Sequence, residues 1–330
     1  MKKFLTLLLA LSLFLISAFF VSCGKTDKND GDAPTLSVVA PDGAPALALA
    51  SFINGKEDFG TNADMNYKVV SSANIADFMR DGTGDIIVMP INAASKLYSV
   101  KKYKMAAVVT HGNLYIMAKE NLSLNDLVGK VVGVINIANV PGLTFKAILE
   151  AKGIDYEESD TAIDGKVALK GYSDGSELIP ALRKNNVSVG LLPEPAANRL
   201  TALDSSFKYA LDLQELYNES AAYPQAVMMV KENIIAKYPD LIKNISEKFN
   251  GGVSWLKENP ESAVTAIESV LVEGVTPSFT AENLNGNVID NCKIYWESGE
   301  AAKNSVKDYL NKIIGINEAS ANKVSDDFFA

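Results

Sequence analysis

The first third of the chain repeats one unit three times: a short β-branched run, a tight loop, then a helix-like stretch. TLSVVA leads into PALALASFI, YKVVSS into ANIADFMRD, and DIIVMP into INAASKLYS. Continuous apolar runs of this kind suit strands covered on both faces. Their alternation with helices predicts parallel pairing and an α/β sheet. The alternation breaks at KMAAVVTHGNLYIMAKE, Lys104 to Glu120, where Thr110-His111-Gly112-Asn113 separates two strand-like runs. A segment this extended can leave one sheet and enter another. SLNDLVGK then reads as a short helix with Ser123 as N-cap. The unit restarts in VVGVIN, PGLTFKAILEAKG, KVALKGY, SDGSELIPALRKN, VSVGLLP and EPAANRLTAL. A second bridging segment, AAYPQAVMMVKENII from Ala221 to Ile235, precedes a tail that reads almost wholly helical. The two α/β units match in pattern and not in sequence, and no solenoid repeat is present. The expected layout is two lobes joined by two crossings, with residues 35–111 and 226–330 in lobe 1 and 112–225 in lobe 2.

The N-terminus sets the compartment. Lys2 and Lys3 precede an uncharged apolar run from Phe4 to Val21, the layout of a secretory signal peptide. The run is also close to the length of a short membrane span, so an uncleaved anchor is the alternative. Ser22-Cys23-Gly24 resembles a bacterial lipobox, although Phe20 stands where an aliphatic residue is usual. The expectation is a signal peptide over 1–22 and lipidation of Cys23. Residues 23–34 then form a polar tether without the apolar content to bury a core. With Cys23 carrying lipid, Cys292 has no partner and reads as a small buried apolar residue.

Charge narrows the partners. The formal net charge is −9, and −11 without Lys2 and Lys3. Arg80, Arg183 and Arg199 are the only arginines, and no basic cluster exists. This balance argues against nucleic acid and anionic lipid as partners.

Open α/β sheets bind ligands beyond the carboxyl ends of their strands, and that rule yields candidate residues. After the first strand come Asp42, Gly43 and Ala44, with Asp42 open to two roles, helix cap or ligand contact. Ser71 and Ser72 follow the second strand and Asn92 the third, each able to cap or to contact ligand. In the second unit the corresponding loops supply Asn139, Gly142 and Thr144, then Ser173 and Asp174. Glu194 stands between Pro193 and Pro195, which restrict it to few positions. Its alternative role is a carboxylate stabilised at a helix N-terminus. The crossings supply His111, Asn113, Tyr223 and Gln225. His111 is the only histidine, open to ligand contact, a pH-sensitive latch or plain hinge packing beside Gly112. Tyr223 can stack on a planar ligand or pack between lobes.

A lipoprotein-type signal before two α/β lobes with two crossings resembles the type II periplasmic-binding-protein fold, the solute receptor of an ABC importer. APDGAPALALA, DIIVMPINAASKLY, VVTHGNLYIMAK, VGLLPEPAANRL, AAYPQAVMMVK and the closing NKVSDDFFA are similar to receptors of the nitrate/sulfonate/thiamine-pyrimidine group. His111 departs from that group, which more often carries tryptophan there. The resemblance implies a monomeric, lipid-anchored, extracytoplasmic receptor that closes on a small-molecule ligand and docks on ABC permease subunits. It also implies that Glu194 lies near the cleft. Enzymes share this fold, a menaquinone-pathway lyase group and the enzyme making the thiamine pyrimidine, and a tethered sensor is a third class. No P-loop, GxSxG, HExxH or CxxC motif is present, and nothing calls for a cofactor or metal. The candidate loops hold no lysine or arginine but hold Asp42, Asp174 and Glu194. They favour a small planar, neutral or weakly basic solute such as a pyrimidine, with a small sulfonate or nitrate as the alternative.

Overall fold

The computed structural model describes residues 33–217 and 223–330. The expected signal peptide, Cys23, the tether as far as residue 32, and Ala221 and Ala222 of the second crossing lie outside the described residues. In chain order the strands are β1 (Thr35–Pro41), β2 (Asp64–Val70), β3 (Ile86–Pro90), β4 (Tyr103–His111), β5 (Leu114–Ala118) and β6 (Val131–Ile135). They continue as β7 (Tyr156–Glu158), β8 (Val167–Tyr172), β9 (Val189–Pro193), β10 (Lys208–Asp212), β11 (Pro224–Lys231) and β12 (Ile294–Ser298). They form two six-stranded sheets, ordered β12-β4-β11-β3-β1-β2 and β10-β5-β9-β6-β8-β7.

The repeated strand–helix units pair in parallel as their alternation predicts: β1 with β2 and β3, and β6 with β8 and β9. Strands outside those units make both sheets mixed. β11 runs antiparallel between β3 and β4, and β5 runs antiparallel between β9 and β10. Both inserted strands come directly off a crossing.

The two crossings lie side by side. β4 ends at His111, and Gly112 donates its N–H to the Tyr223 carbonyl at 3.0 Å. A Cβ on Gly112 would meet the Tyr223 ring at 2.6 Å. Glycine is needed here for close approach of an aromatic ring to backbone. Ser123 behaves as expected, opening a one-turn helix at Leu124–Leu127 whose Asp126 accepts from the Ser123 N–H at 2.7 Å.

Strand period 2 divides the core. Leu36, Val38 and Ala40 face Phe52 of helix Ala44–Gly55 and Phe249 of helix Leu241–Glu258. Phe52 meets Phe59 edge-on at 4.9 Å, and full burial of each such ring contributes roughly 1.5–3 kcal/mol. Val39 faces the other way, into a cluster with Ile87, Met89 and Tyr309. That cluster continues without a break to Leu114, Val132 and Phe145 of the second sheet's layer. Helix Gly299–Ile316 carries it, packing on both β4 and helix Val140–Ala151. The C-terminal helices therefore return to the first sheet, and the last of them also braces the second. Cys292 is fully buried, as expected of a small apolar residue. Among the described residues no helix is long and apolar enough to cross a membrane.

Candidate ligand-binding cleft

A cavity of about 160 Å³ lies between the carboxyl ends of the two sheets' parallel strands. Cavities of about 150 Å³ accept a benzene-sized molecule, so this one suits a single ring and not a peptide. The first sheet contributes the loop Pro41–Pro45 after β1, Ser71 and Ser72 after β2, Pro90, and Gln225 and Ala226 of β11. The second contributes Ile135, Asn136 and the helix start Asn139–Pro141, then Asp174–Ser176 and Pro193–Ala196. Asn113 enters from the first crossing, and Gly274, Val275, Thr276 and Ser278 close one side.

Asp42 is not a helix cap. The N-cap of helix Ala44–Gly55 is Gly43, at φ 97°, with no side-chain cap bond. Asp42 Oδ2 instead accepts from the Ser278 N–H at 2.9 Å. Its Oδ1 is sealed from solvent, and the Ser278 hydroxyl beside the carboxyl stands outside hydrogen-bonding geometry. Burial pushes the carboxyl up from its ordinary 3.8 to about 6. The Ser278 hydroxyl and N–H and the Gly43 N–H oppose that rise, and the Asp174 charge adds to it.

Asp174 does cap a helix. Its Oδ1 accepts from the Ser176 N–H at 2.7 Å and the Ser176 hydroxyl at 2.6 Å, opening helix Gly175–Arg183. Glu194 is 1 % exposed, and both its carboxylate oxygens are taken. Oε2 accepts from the Asn198 N–H at 3.1 Å, and Oε1 from the Tyr209 hydroxyl at 2.5 Å. It holds the start of helix Ala196–Leu203, the alternative role, while its side chain still borders the cavity. Burial raises its pKa against the Tyr209, Asn198 and Asn291 hydrogen bonds.

Ten of the sixteen expected ligand contacts border this cavity: Asp42, Gly43, Ala44, Ser71, Ser72, Asn113, Asn139, Asp174, Glu194 and Gln225. Six lie elsewhere, each held by a specific neighbour. Asn92 is buried behind the cleft, donating to Asn139 Oδ1 at 3.2 Å and the Ser320 carbonyl at 3.3 Å. His111 stacks on Tyr295 at 3.6 Å and bonds Glu297 Oε2 at 3.1 Å, and burial lowers its pKa against the pull of Glu297. Gly142 is needed for packing, since a Cβ there would stand 2.1 Å from the Ile137 carbonyl. Thr144 bonds the Tyr309 hydroxyl at 2.7 Å. Ser173 points its N–H at Glu177 Oε2. Tyr223 lies 5.8 Å from Tyr309 ring to ring, nearly parallel, and donates to Gln214 Oε1.

Two features fell outside the candidate residues. Asn136, at φ 48°, donates to the Ser72 hydroxyl at 3.1 Å and bridges the two sides of the cleft. Asparagine tolerates that left-handed conformation. The segment 274–278 was missed inside a tail read as helical, although Gly274, Thr276, Pro277 and Ser278 are a loop signal. Among the described residues no group of three or more His, Cys, Asp or Glu side chains is placed to hold a metal ion.

No protein-family model matches the chain, and no curated protein matches it. Solved structures do. An ABC transporter protein from Parabacteroides distasonis has 20% identity and a TM-score of 0.71, covering 90% of this chain and 98% of that one. The ligand-binding component of an ABC-type import system from Staphylococcus aureus, with zinc bound, has 11% identity and a TM-score of 0.60, covering 90% and 96%. An alkanesulfonate-binding protein from Xanthomonas axonopodis pv. citri, bound to MOPS, has 11% identity and a TM-score of 0.60, covering 88% and 95%. Likeness at such identities speaks for architecture, and it agrees with two mixed sheets joined by paired crossings around a cleft. The chain has the two-lobed type II periplasmic-binding-protein fold of ABC-transporter ligand-binding proteins.

Proposed function

We propose that this chain is an extracytoplasmic solute-binding lipoprotein, anchored through Cys23, that delivers a small molecule to an ABC importer. The observation that carries the reading is the single-ring-sized cavity between two sheets that the paired crossings join. Such a site encloses a ligand by bringing two bodies together. The ligand we favour is planar and neutral or weakly basic, pyrimidine-like. An alkanesulfonate-binding neighbour argues for a sulfonate, but among the described residues no lysine, arginine or histidine borders this cavity. An enzymatic reading on the same fold draws no support from His111, which is occupied by Glu297 and Tyr295 away from the cavity.

The test is mass spectrometry of whatever natively purified protein releases on denaturation. One small molecule at near-stoichiometric amount, chemically unchanged after incubation with the protein, is the expected result. Its uptake should fall in cells lacking the gene. Turnover of the released compound, or uptake that does not depend on this chain, would sink the receptor reading.

A further inference from the structure

One side chain ties the two crossings together. β10 ends at Asp212, opposite Tyr115 of β5, and the chain then turns into the short helix Leu213–Tyr217. The ladder with β5 would stop there, one residue short of Leu114, where the first crossing enters the second sheet. Gln214 carries it on, with a side-chain amide in place of a peptide. Its Oε1 accepts from the Leu114 N–H at 2.8 Å, and its Nε2 donates to the Leu114 carbonyl at 3.0 Å. Asp212 fixes which way round that amide stands, because Asp212 Oδ1 accepts from Gln214 Nε2 at 2.8 Å and from the Gln214 N–H at 2.7 Å. Turned over, the amide would set its oxygen against a carboxylate and a carbonyl, and its nitrogen against an N–H.

The same Oε1 takes a second donor, from the other crossing. The Tyr223 hydroxyl reaches it at 2.9 Å. Tyr223 is buried, and its carbonyl accepts from the Gly112 N–H at 3.0 Å. So Tyr223 meets the first crossing at both of its ends: the carbonyl holds Gly112, and the hydroxyl holds Gln214, which holds Leu114. Its ring also lies nearly parallel to that of Tyr309, whose hydroxyl bonds Thr144 in the second sheet's layer. A buried tyrosine hydroxyl ordinarily has a partner, and here that partner belongs to the opposite lobe. Leu114, Gln214 and Tyr223 do not border the cavity.

We infer that Gln214 and Tyr223 form a pin through the hinge, which makes the two crossings bend as one and limits how far the ligand-free lobes part. Crossings that flexed independently would let the lobes twist as well as open. Linked at Gly112, Leu114 and Tyr223, they leave rotation about the pin as the soft motion. Both are positioning residues, acting on the lobes and not on the ligand.

Hydrogen exchange read by NMR on ligand-free protein tests the pin amide by amide. Tyr223→Phe removes only the hydroxyl. Protection of the Gly112 N–H, whose acceptor is the Tyr223 carbonyl, should fall at least about tenfold, the scale of one lost hydrogen bond. Leu114, still held by Gln214, and Val88 in the core of the first sheet should stay within about twofold. Gln214→Met keeps the length of the side chain and removes its amide. Gly112 and Leu114 should then both lose protection at least about tenfold, with Val88 again holding. In small-angle scattering both ligand-free variants should show a larger radius of gyration than the wild type. Unchanged protection of Gly112 in either variant overturns the pin, and so does an equal fall at all three amides, the mark of general destabilisation. A radius equal to that of the wild type also overturns it, since the network would then brace the structure without limiting its opening. Each variant decides the matter alone should the other fail to fold. No ligand enters these measurements, so the receptor reading fails or stands separately, on what natively purified protein releases.

Discussion

Replacing Asp42 should stabilise the ligand-free protein, and the gain should depend on pH. Burial raises this carboxyl from 3.8 to about 6 in the folded state. A carboxyl whose folded pKa lies above its unfolded value binds its proton more tightly when folded. Its ionisation therefore erodes stability as pH rises from about 4 to about 6, and the loss is constant above that range. The two-unit rise corresponds to roughly 3 kcal/mol at about pH 7.5 and to only about 0.5 kcal/mol at about pH 4. Asparagine cannot ionise and keeps an oxygen for the Ser278 N–H, while its amide N–H can turn to the bare Ser278 hydroxyl. Asp174 and Glu194, the other acids bordering the cavity among the described residues, are unchanged in the variant and cancel in the comparison to first order. For a chain of this size about 2 °C accompanies each kcal/mol, so Asp42→Asn should raise the melting temperature by about 6 °C at the higher pH and by about 1 °C at the lower. Calorimetric scans of protein stripped of ligand by denaturation, dialysis and refolding would measure both. A lower melting temperature at pH 7.5, or the same shift at both pH values, would refute the reasoning. The carboxylate would then be a structural partner of Ser278 and nothing more.

Glu194→Gln should leave affinity for the small molecule released by natively purified protein within about twofold, because both carboxylate oxygens face protein donors and the Tyr209 hydroxyl can reverse its role. Glu194→Ala should lose about 1 kcal/mol of stability with the helix cap, read as an earlier denaturant midpoint. Tenfold weaker binding in the Gln variant at unchanged stability would return Glu194 to the recognition set. Cys23→Ala should abolish incorporation of metabolic lipid label, since each buried methylene of an acyl chain contributes about 0.8 kcal/mol to anchoring; label persisting on the chain would refute the lipobox reading. Small-angle scattering should give a smaller radius of gyration with bound ligand than without, the pairs Ser72–Asn136 and Asn92–Asn139 forming only when the cleft closes. An identical radius at saturation would count against closure.

Much of this architecture could be read in the sequence because its units are local. A β-branched run, a tight loop and an amphipathic or buried helix are written in consecutive residues, and six such units give every parallel strand of the two sheets except β7. Strand direction at the crossings is not local. Nothing within PQAVMMVK shows that it will lie antiparallel between β3 and β4, because its neighbours are set by where the preceding lobe releases it. Side-chain direction was lost for a similar reason. Successive residues of a strand alternate and those of a helix turn by about 100°. Asn139 and Pro141 reach the cavity, whereas Thr144, further along the same helix, faces Tyr309. His111 and Asn113 are two residues apart, but the chain leaves one sheet between them. One packs on Tyr295 and the other borders the cavity.

Ser278 illustrates why the site's chemistry is less legible than its place. Asp42 and Ser278 are 236 residues apart, and the bond between them joins the first loop of the body to one laid down after all of the second lobe. From the sequence alone Asp42 before a helix looks like a cap, since an aspartate next to a helix start satisfies a local rule. The structure breaks that rule: Gly43 takes the cap position and the carboxyl turns to the late loop. Departures of this kind mark functional sites when the strain they carry has no structural return. Here the departures cluster. Of eight buried side-chain atoms without a partner among the described residues, four belong to residues bordering the one cavity: Asp42, Asn113, Gln225 and Ser278. A chain selected for stability alone would pair or remove them, at a gain of about 1–3 kcal/mol each. A ligand that supplied donors to Asp42, Asn113 and Gln225 would account for their retention, and it should recover on binding the stability these atoms withhold from the empty protein.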